Sequence, residues 1–322
     1  MAMALCGCAT VFGQSPDGAN ASELELSDLG KFDLETLLDI EVTSVSKKEE
    51  KLSQASAAIY VITQEDIRRS GFTTLPEIFR MVPGMQVARV NANQWAISSR
   101  GFNDTYSGKL LVLVDGRSIY TTSFGGVFWS EQDLMLEDLE RVEVIRGPGA
   151  TLWGANAYTG VINIISKKAR DTQGVLLSAS YGTSEQPLTS LRYGGEINPN
   201  LHYRVYGRYL DHEDFKDADG DPLATGWRVG SGGFRLDWEP SSHDLFTLQG
   251  DYRRGAIGEL AEHPRLAPPF TETIIAENDN TSANVLGRWT HAFSSESDLS
   301  LQLYYDRMEH GELGTKIRED TF

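Results

Sequence analysis

Three aspartates at alternate positions, Asp217, Asp219 and Asp221 in "DFKDADGDP", have the spacing of a calcium-binding loop. The distal bidentate glutamate that completes such a loop is missing, and an acidic surface loop is the simpler account. The six histidines show no metal-ligand spacing, so neither a metal site nor haem is expected. The glycines of "RGPGATLWG" suggest a phosphate cradle, but no Gly-Lys-Ser/Thr follows them. There is no Gly-x-Ser-x-Gly elbow and no serine–histidine–acid constellation, so no catalytic residue or cofactor is nominated. What chemistry remains is that of binding.

Composition narrows the setting. The chain of 322 residues carries a net charge of −17, which would repel nucleic-acid phosphate. The charge is uneven. Residues 31–170 hold 16 basic and 17 acidic side chains, whereas residues 171–322 hold 13 and 25, placing a boundary near residue 170. Both cysteines, Cys6 and Cys8, lie in the apolar opening "MAMALCGCATVFGQS". This reads as a signal peptide over residues 1–13, incomplete because it lacks a basic start, with lipidation of Cys8 as an alternative. Cleavage would leave a mature part without cysteine. No run of about 18 apolar residues exists to form a membrane-spanning helix.

Residues 14–38 are polar and small, and are expected to form a flexible leader. Within residues 39–58, "DIEVTSV" has extended character and is followed by a charged spacer. It suits either addition as an extra strand to a partner's sheet or a plain lead-in. Residues 59–170 predict a compact α+β domain. "IYVIT" is a strand, "QEDIRRSG" a helical turn stopped by Gly71, and "TTLPEIFRMVPG" a second short helix with Pro76 in its first turn. Further strands are "MQVARV", "AISSRGF", "KLLVLVDGRSI", "LERVEVIRG" and "TGVINIISKK".

From residue 171 the pattern changes to about seven alternating stretches. In "DLSLQLYYD", for example, Leu299, Leu301, Leu303 and Tyr305 oppose Ser300, Gln302, Tyr304 and Asp306. Connections alternate between short (198–200, 239–244, 294–297) and long (211–226, 255–280). That rhythm predicts antiparallel transmembrane β-barrel strands. A barrel must close in lipid, so the chain reads as a fragment of a longer plugged barrel of about 22 strands.

The ordered set "ITQEDIRRSG", "LPEIFRMVPGMQV", "ISSRGF", "LLVLVDGRSIY" and "LEDLERVEVIRGPGATLWGANAYTGVINIISK" resembles the TonB-dependent outer-membrane receptors over residues 40–170, and the strands extend the likeness to the end. The resemblance implies a plug folded inside the barrel and active import of a scarce nutrient. A ferric siderophore is the leading class; cobalamin, oligosaccharides, nickel chelates and plant aromatics are the others. It also implies outer-membrane lipid around a monomeric barrel, and TonB with its inner-membrane energy-transducing complex as partner. On that likeness, Asp39, Ile40, Glu41, Val42, Thr43, Ser44 and Val45 would form the TonB box. Arg100, Glu143 and Arg146 match charged positions expected to latch the plug to the barrel. Asn93, Gln94, Trp95, Phe124 and Trp129, on two loops between plug strands, are candidate ligand contacts, with packing against the barrel wall as the alternative. A passive porin-like barrel is the competing function; it would need neither plug nor box.

Overall fold

The computed structural model describes residues 11–12, 41–42, 50–51 and 58–322, apart from 92, 155, 183–184, 295–296 and 313–314. Strand β1 (Ile59–Thr63) runs straight into helix α1 (Gln64–Ser70). A capping box sets that start: the Thr63 hydroxyl accepts from the Asp66 N–H at 3.2 Å, and the Asp66 carboxylate accepts from the Thr63 N–H at 2.9 Å. Gly71 ends the helix in the left-handed region (φ 71°), where a side chain would be strained. Helix α2 (Leu75–Ile78) holds Pro76 in its first turn and passes into a 3-10 turn, Phe79–Met81.

The remaining plug strands are β2 (Met85–Arg89), β3 (Trp95–Ser99), β4 (Leu110–Val114), β5 (Arg117–Ser118), β6 (Leu139–Ile145) and β7 (Gly160–Ser166). Five of these seven strands form one sheet in the order β1-β6-β7-β4-β5, in which β7 and β4 alone run parallel; β2 and β3 form a separate hairpin. Alternation along β4 sends Val112 and Val114 to one face and Leu111 and Leu113 to the other. The first face packs on Ile67, Leu75, Ile78 and Phe79, the second on Ile145, Ala157 and Val161. With both faces covered, β4 and β7 read as nearly continuous apolar runs.

Eight antiparallel strands follow: β8 (Gly174–Ser180), β9 (Glu185–Asn198), β10 (Leu201–His212), β11 (Trp227–Ser241), β12 (Asp244–Pro264), β13 (Thr271–Ser294), β14 (Ser297–Glu312) and β15 (Thr315–Thr321). Each pairs with the next. The count exceeds the seven alternating stretches by one, because β15 lies beyond the last of them. Val11–Phe12 lies antiparallel on the outer edge of β8, against Leu176 and Leu177.

One face of these strands exposes Leu191, Val205, Phe234, Leu248, Val285, Leu301 and Leu303, while the other buries Arg192, Arg204, Arg208, Arg235, Gln249 and Arg253. Apolar outside and charged inside is the reverse of a water-soluble sheet and suits a wall facing lipid.

The long connection expected over 255–280 is corrected by the structure. β12 and β13 stay paired from Gly255↔Asn280 to Pro264↔Thr271, leaving a tip of residues 265–270. About 9–11 residues suffice for a tilted strand to cross a bilayer, so these strands of 21 and 24 residues project well past it. A ribbon with water on both sides keeps its backbone pairing without needing an apolar face.

Candidate functional site: the plug–barrel interface

Between β5 and β6 the plug chain runs along the inner wall in two single 3-10 turns, Trp129–Glu131 and Leu136–Asp138. Trp129, Leu136 and Leu139 turn into the plug core. The intervening acids, Glu131, Asp133 and Asp138, are thereby turned towards the wall, and each meets arginine there.

Asp138 takes Arg192 from β9 and faces the Arg204 Nε of β10 at 3.6 Å. Asp133 takes Arg208 at 2.9 Å and accepts from the Ser231 hydroxyl at 3.0 Å. Glu131 takes Arg253 of β12 at 2.5 Å, the Asn280 amide of β13 at 2.6 Å and the His310 ring of β14 at 3.0 Å. Asp115, at the β4–β5 turn, accepts from Gln249 at 2.8 Å, while Arg288 donates to its backbone carbonyl. Two pairs have the opposite polarity: plug Arg117 on barrel Asp306, and the more exposed Arg170 on Glu239 of β11 at 3.2 Å. Nearer the plug's exit, Asp237 accepts the Ala169 N–H at 2.7 Å.

The electrostatics follow from this geometry. Burial alone would raise the Glu131 carboxyl. The Arg253 charge, with His310 and Asn280, outweighs it and holds the group below the usual carboxylate range. Asp115 behaves alike: burial raises it, but Arg235 and hydrogen bonds from Ser166 and Gln249 bring it below its ordinary value. The arginines are only partly satisfied. The Nε atoms of Arg192, Arg208 and Arg253 are buried without a hydrogen-bond partner. Such pairs contribute little net stability, because desolvation offsets the attraction, yet losing one partner costs several kcal/mol, about 3–5. They fix where the plug sits without an apolar seam.

Arg100, Glu143 and Arg146, the residues expected to form the latch, make the following contacts among the described residues. Glu143 is fully buried in the middle of β6, in register with Val61 and Asn163, and accepts from Arg141 Nε at 2.8 Å. Arg100 donates to the Arg146 carbonyl at 2.9 Å, and Arg146 donates to the Pro83 carbonyl at 2.9 Å. These three contacts are made within the plug. The turn beyond β6 is likewise internal. A Cβ on Gly149 would lie 2.8 Å from Val161 Cγ2, and one on Gly160 2.5 Å from the Ile145 carbonyl oxygen, so these glycines permit close packing inside the plug.

The candidate ligand contacts divide. Trp95 and Trp129 are 5% and 7% exposed and belong to the plug core, Trp129 edge-on to Phe79 at 5.3 Å; neither presents a face to a ligand. Asn93 is buried, and its amide reaches the Gly258 carbonyl of β12 at 3.0 Å. Gln94 is bonded to Asn91 through side chain and backbone, at 2.9 and 2.8 Å. Phe124 is half-buried and stands edge-on to Tyr106 and Phe128. The sequence reading missed Arg89. Its guanidinium lies 5.2 Å over Trp95 and 5.0 Å over Phe215, and 3.2 Å from the His212 ring at the start of the 213–226 loop.

In the acidic loop, Asp217 Oδ1 accepts the N–H groups of Asp219 and Asp221, both at 2.9 Å, which makes it a turn device. Among the described residues no group of three or more potential ligands is placed to hold a metal ion. Of the expected box, Glu41 and Val42 are described, paired with Lys51 and Glu50, and Val42 is fully buried. Asp39, Ile40, Thr43, Ser44 and Val45 lie outside the described residues, as do Cys6 and Cys8.

Comparison with known proteins agrees with this architecture. Residues 51–161 match the TonB-dependent Receptor Plug Domain family. The chain is 33% identical over 156 residues to the vitamin B12 transporter BtuB of Vibrio cholerae, covering 48% of this chain and 25% of that one. It is 33% identical over 218 residues to the ferric enterobactin receptor of Pseudomonas aeruginosa, covering 59% and 28%. In structure it is similar to the outer-membrane ferripyoverdine receptor of P. aeruginosa (TM-score 0.65, 16% identity, 84% of this chain and 37% of that one). It is also similar to the alcaligin receptor FauA of Bordetella pertussis (TM-score 0.65, 16% identity, 84% and 42%). The matched region spans about a quarter of the length of these curated relatives.

Proposed function

We propose that the protein is an energised importer, in which residues 51–161, matched by the TonB-dependent receptor plug domain family, sit against the strands of an outer-membrane barrel. In this reading a ligand too large or too scarce for a diffusion pore settles on the outer side of the plug. The TonB complex then grips the segment Asp39–Val45 and pulls, and the plug shifts along the wall to open a path. The supporting observation is the row of buried acid–arginine pairs between Asp138 and Arg192 at one end and Glu131 and Arg253 at the other. A permanent seal would favour an apolar seam. Paired charges with spare donors can exchange partners and re-form.

The cargo class favoured is a ferric siderophore. One curated relative is a ferric enterobactin receptor, and another is a vitamin B12 transporter, which makes cobalamin the next candidate. Export by the N-terminal segment, a single-barrel assembly and a latch extended by further barrel residues belong to the same proposal. Growth of a deletion strain on single siderophores under iron limitation, beside a strain dependent on supplied cobalamin, tests it. Loss of growth on at least one ferric siderophore with cobalamin use intact is expected. Intact growth on every chelate would overturn the cargo assignment.

A further inference from the structure

The lipid-facing side of the wall carries a hollow. Along one row of neighbouring strands the outward residues are Leu236, Leu248, Gly287 and Leu303; along the next they are Trp238, Phe246, Trp289 and Leu301. Gly287 interrupts the leucine row, and a Cβ built on it would meet nothing within 4 Å. The result is an apolar hollow of about 640 Å³ floored by Gly287, with Leu248 and Leu303 on either side of it.

The second row closes the hollow towards the short-turn rim. Trp238 and Phe246 lie 5.3 Å apart, and Phe246 and Trp289 stack at 6.0 Å with planes 9° apart. Trp289 is fixed by its indole N–H, which donates to Asp244 at 3.0 Å, and His291 faces the same carboxylate at 2.8 Å. A ring row just inside the turns, with polar groups beyond it, marks a membrane interface. Phe246 lies two residues from the start of its strand and Leu248 two residues further in. The hollow therefore begins at the depth where acyl chains begin.

We propose that this hollow is a binding site for one acyl chain of a phospholipid in the periplasmic leaflet. The chain lies over Gly287 between Leu248 and Leu303, with its headgroup beyond the Trp238–Phe246–Trp289 row near His243 and His291. Continuity with the lipid-facing band selects this occupant over a protein partner, because the hollow opens onto a surface that already faces hydrocarbon. The inference rests on the orientation of the strands and is independent of what the protein transports.

Native mass spectrometry tests it. The membrane-inserted protein is reconstituted in phosphatidylethanolamine bilayers and then released in mild detergent. One retained phospholipid per chain is expected. Gly287→Trp, which fills the hollow, is expected to reduce retention at least fivefold. Gly207→Trp, at another open glycine on the same face but outside the hollow, is expected to retain it. Gly287→Leu is the smaller replacement should the tryptophan variant fail to insert, with the same loss expected. Equal retention by the filled and control variants, loss in both, or a second copy of the chain in place of lipid would overturn the proposal.

Discussion

Glu131 and Arg253 form a buried ion pair at 2.5 Å that joins a 3-10 turn of the plug to the fourth-from-last described barrel strand. Asn280 and His310 bring the next two strands, β13 and β14, to the same carboxylate. One acid thus gathers three consecutive strands, and the Phe128 ring stacked on His310 at 4.0 Å closes the cluster on its apolar side.

Removing that acid should free the plug locally. Glu131→Ala leaves the Arg253 charge buried without its partner, with an expected cost of about 3–5 kcal/mol to plug docking. Hydrogen exchange over residues 117–135 should rise sharply, while the lipid-facing strands keep their protection. Arg253→Met combined with Glu131→Leu should recover much of the loss. Unchanged exchange in the single variant would count against the pair as a latch.

The pH dependence has a definite sign. Glu131 and Asp115 both titrate below their ordinary values in the folded protein. Their contribution is therefore fully present above the unfolded carboxylate pKa, about 4, and is lost as pH falls through the lowered folded values. Docking followed by a spin-label distance between plug and wall should stay constant from neutral pH to roughly 5 and loosen below 4. Glu131→Gln should weaken docking at neutral pH and flatten the acid transition. Loosening between pH 8 and 6 would contradict this assignment.

Trp95 and Phe124 should respond differently. Trp95→Ala opens a cavity in the plug core and is expected to destabilise the plug by about 3–5 kcal/mol, read as a lower urea midpoint. Phe124 is half-buried, so Phe124→Ala should change stability less and ligand affinity more. Equal midpoints for the two variants would contradict the division.

The wall supplies a further test. Leu248 faces outward between Leu236 and Gly287, and Leu248→Arg should cost about 2–4 kcal/mol in the bilayer. Its inward neighbour Gln249 touches Asp115, so Gln249→Ala should loosen the plug instead. Heat-modifiable gel migration separates the two effects, because it follows the barrel and not the plug.

How much of this was legible beforehand depended on periodicity. The capped helix at Thr63–Gly71, the apolar run Leu110–Val114 and the alternating strands all carry a repeat that one face of a sheet or helix imposes. The extended ribbon beyond Gly255 carries none, since neither of its faces needs to be apolar, so its sequence predicts a loop. The latch was equally hidden. Glu131, Asp133 and Asp138 sit in short turns without periodic signature, and their partners lie 54 to 179 residues away, a pairing fixed by strand register alone. Glu143 and Arg146 stand out in the sequence through their motif; in the fold Glu143 is buried on β6 and Arg146 donates to the Pro83 carbonyl. Trp95 and Trp129 stood among polar neighbours in sequence, but the strand and turn that carry them point inward.

Energised transport is tested most directly at Val42, which pairs with Glu50. Proline there removes a backbone donor and, in the proposed function, would block addition of a strand by the TonB partner. The measurement is uptake of the radiolabelled cargo by cells carrying Val42→Pro, beside cargo binding at the cell surface. The proposed function predicts binding within twofold of the unmodified protein and uptake reduced to the level of a strain lacking TonB. Uptake at the unmodified rate, with binding intact, would contradict it.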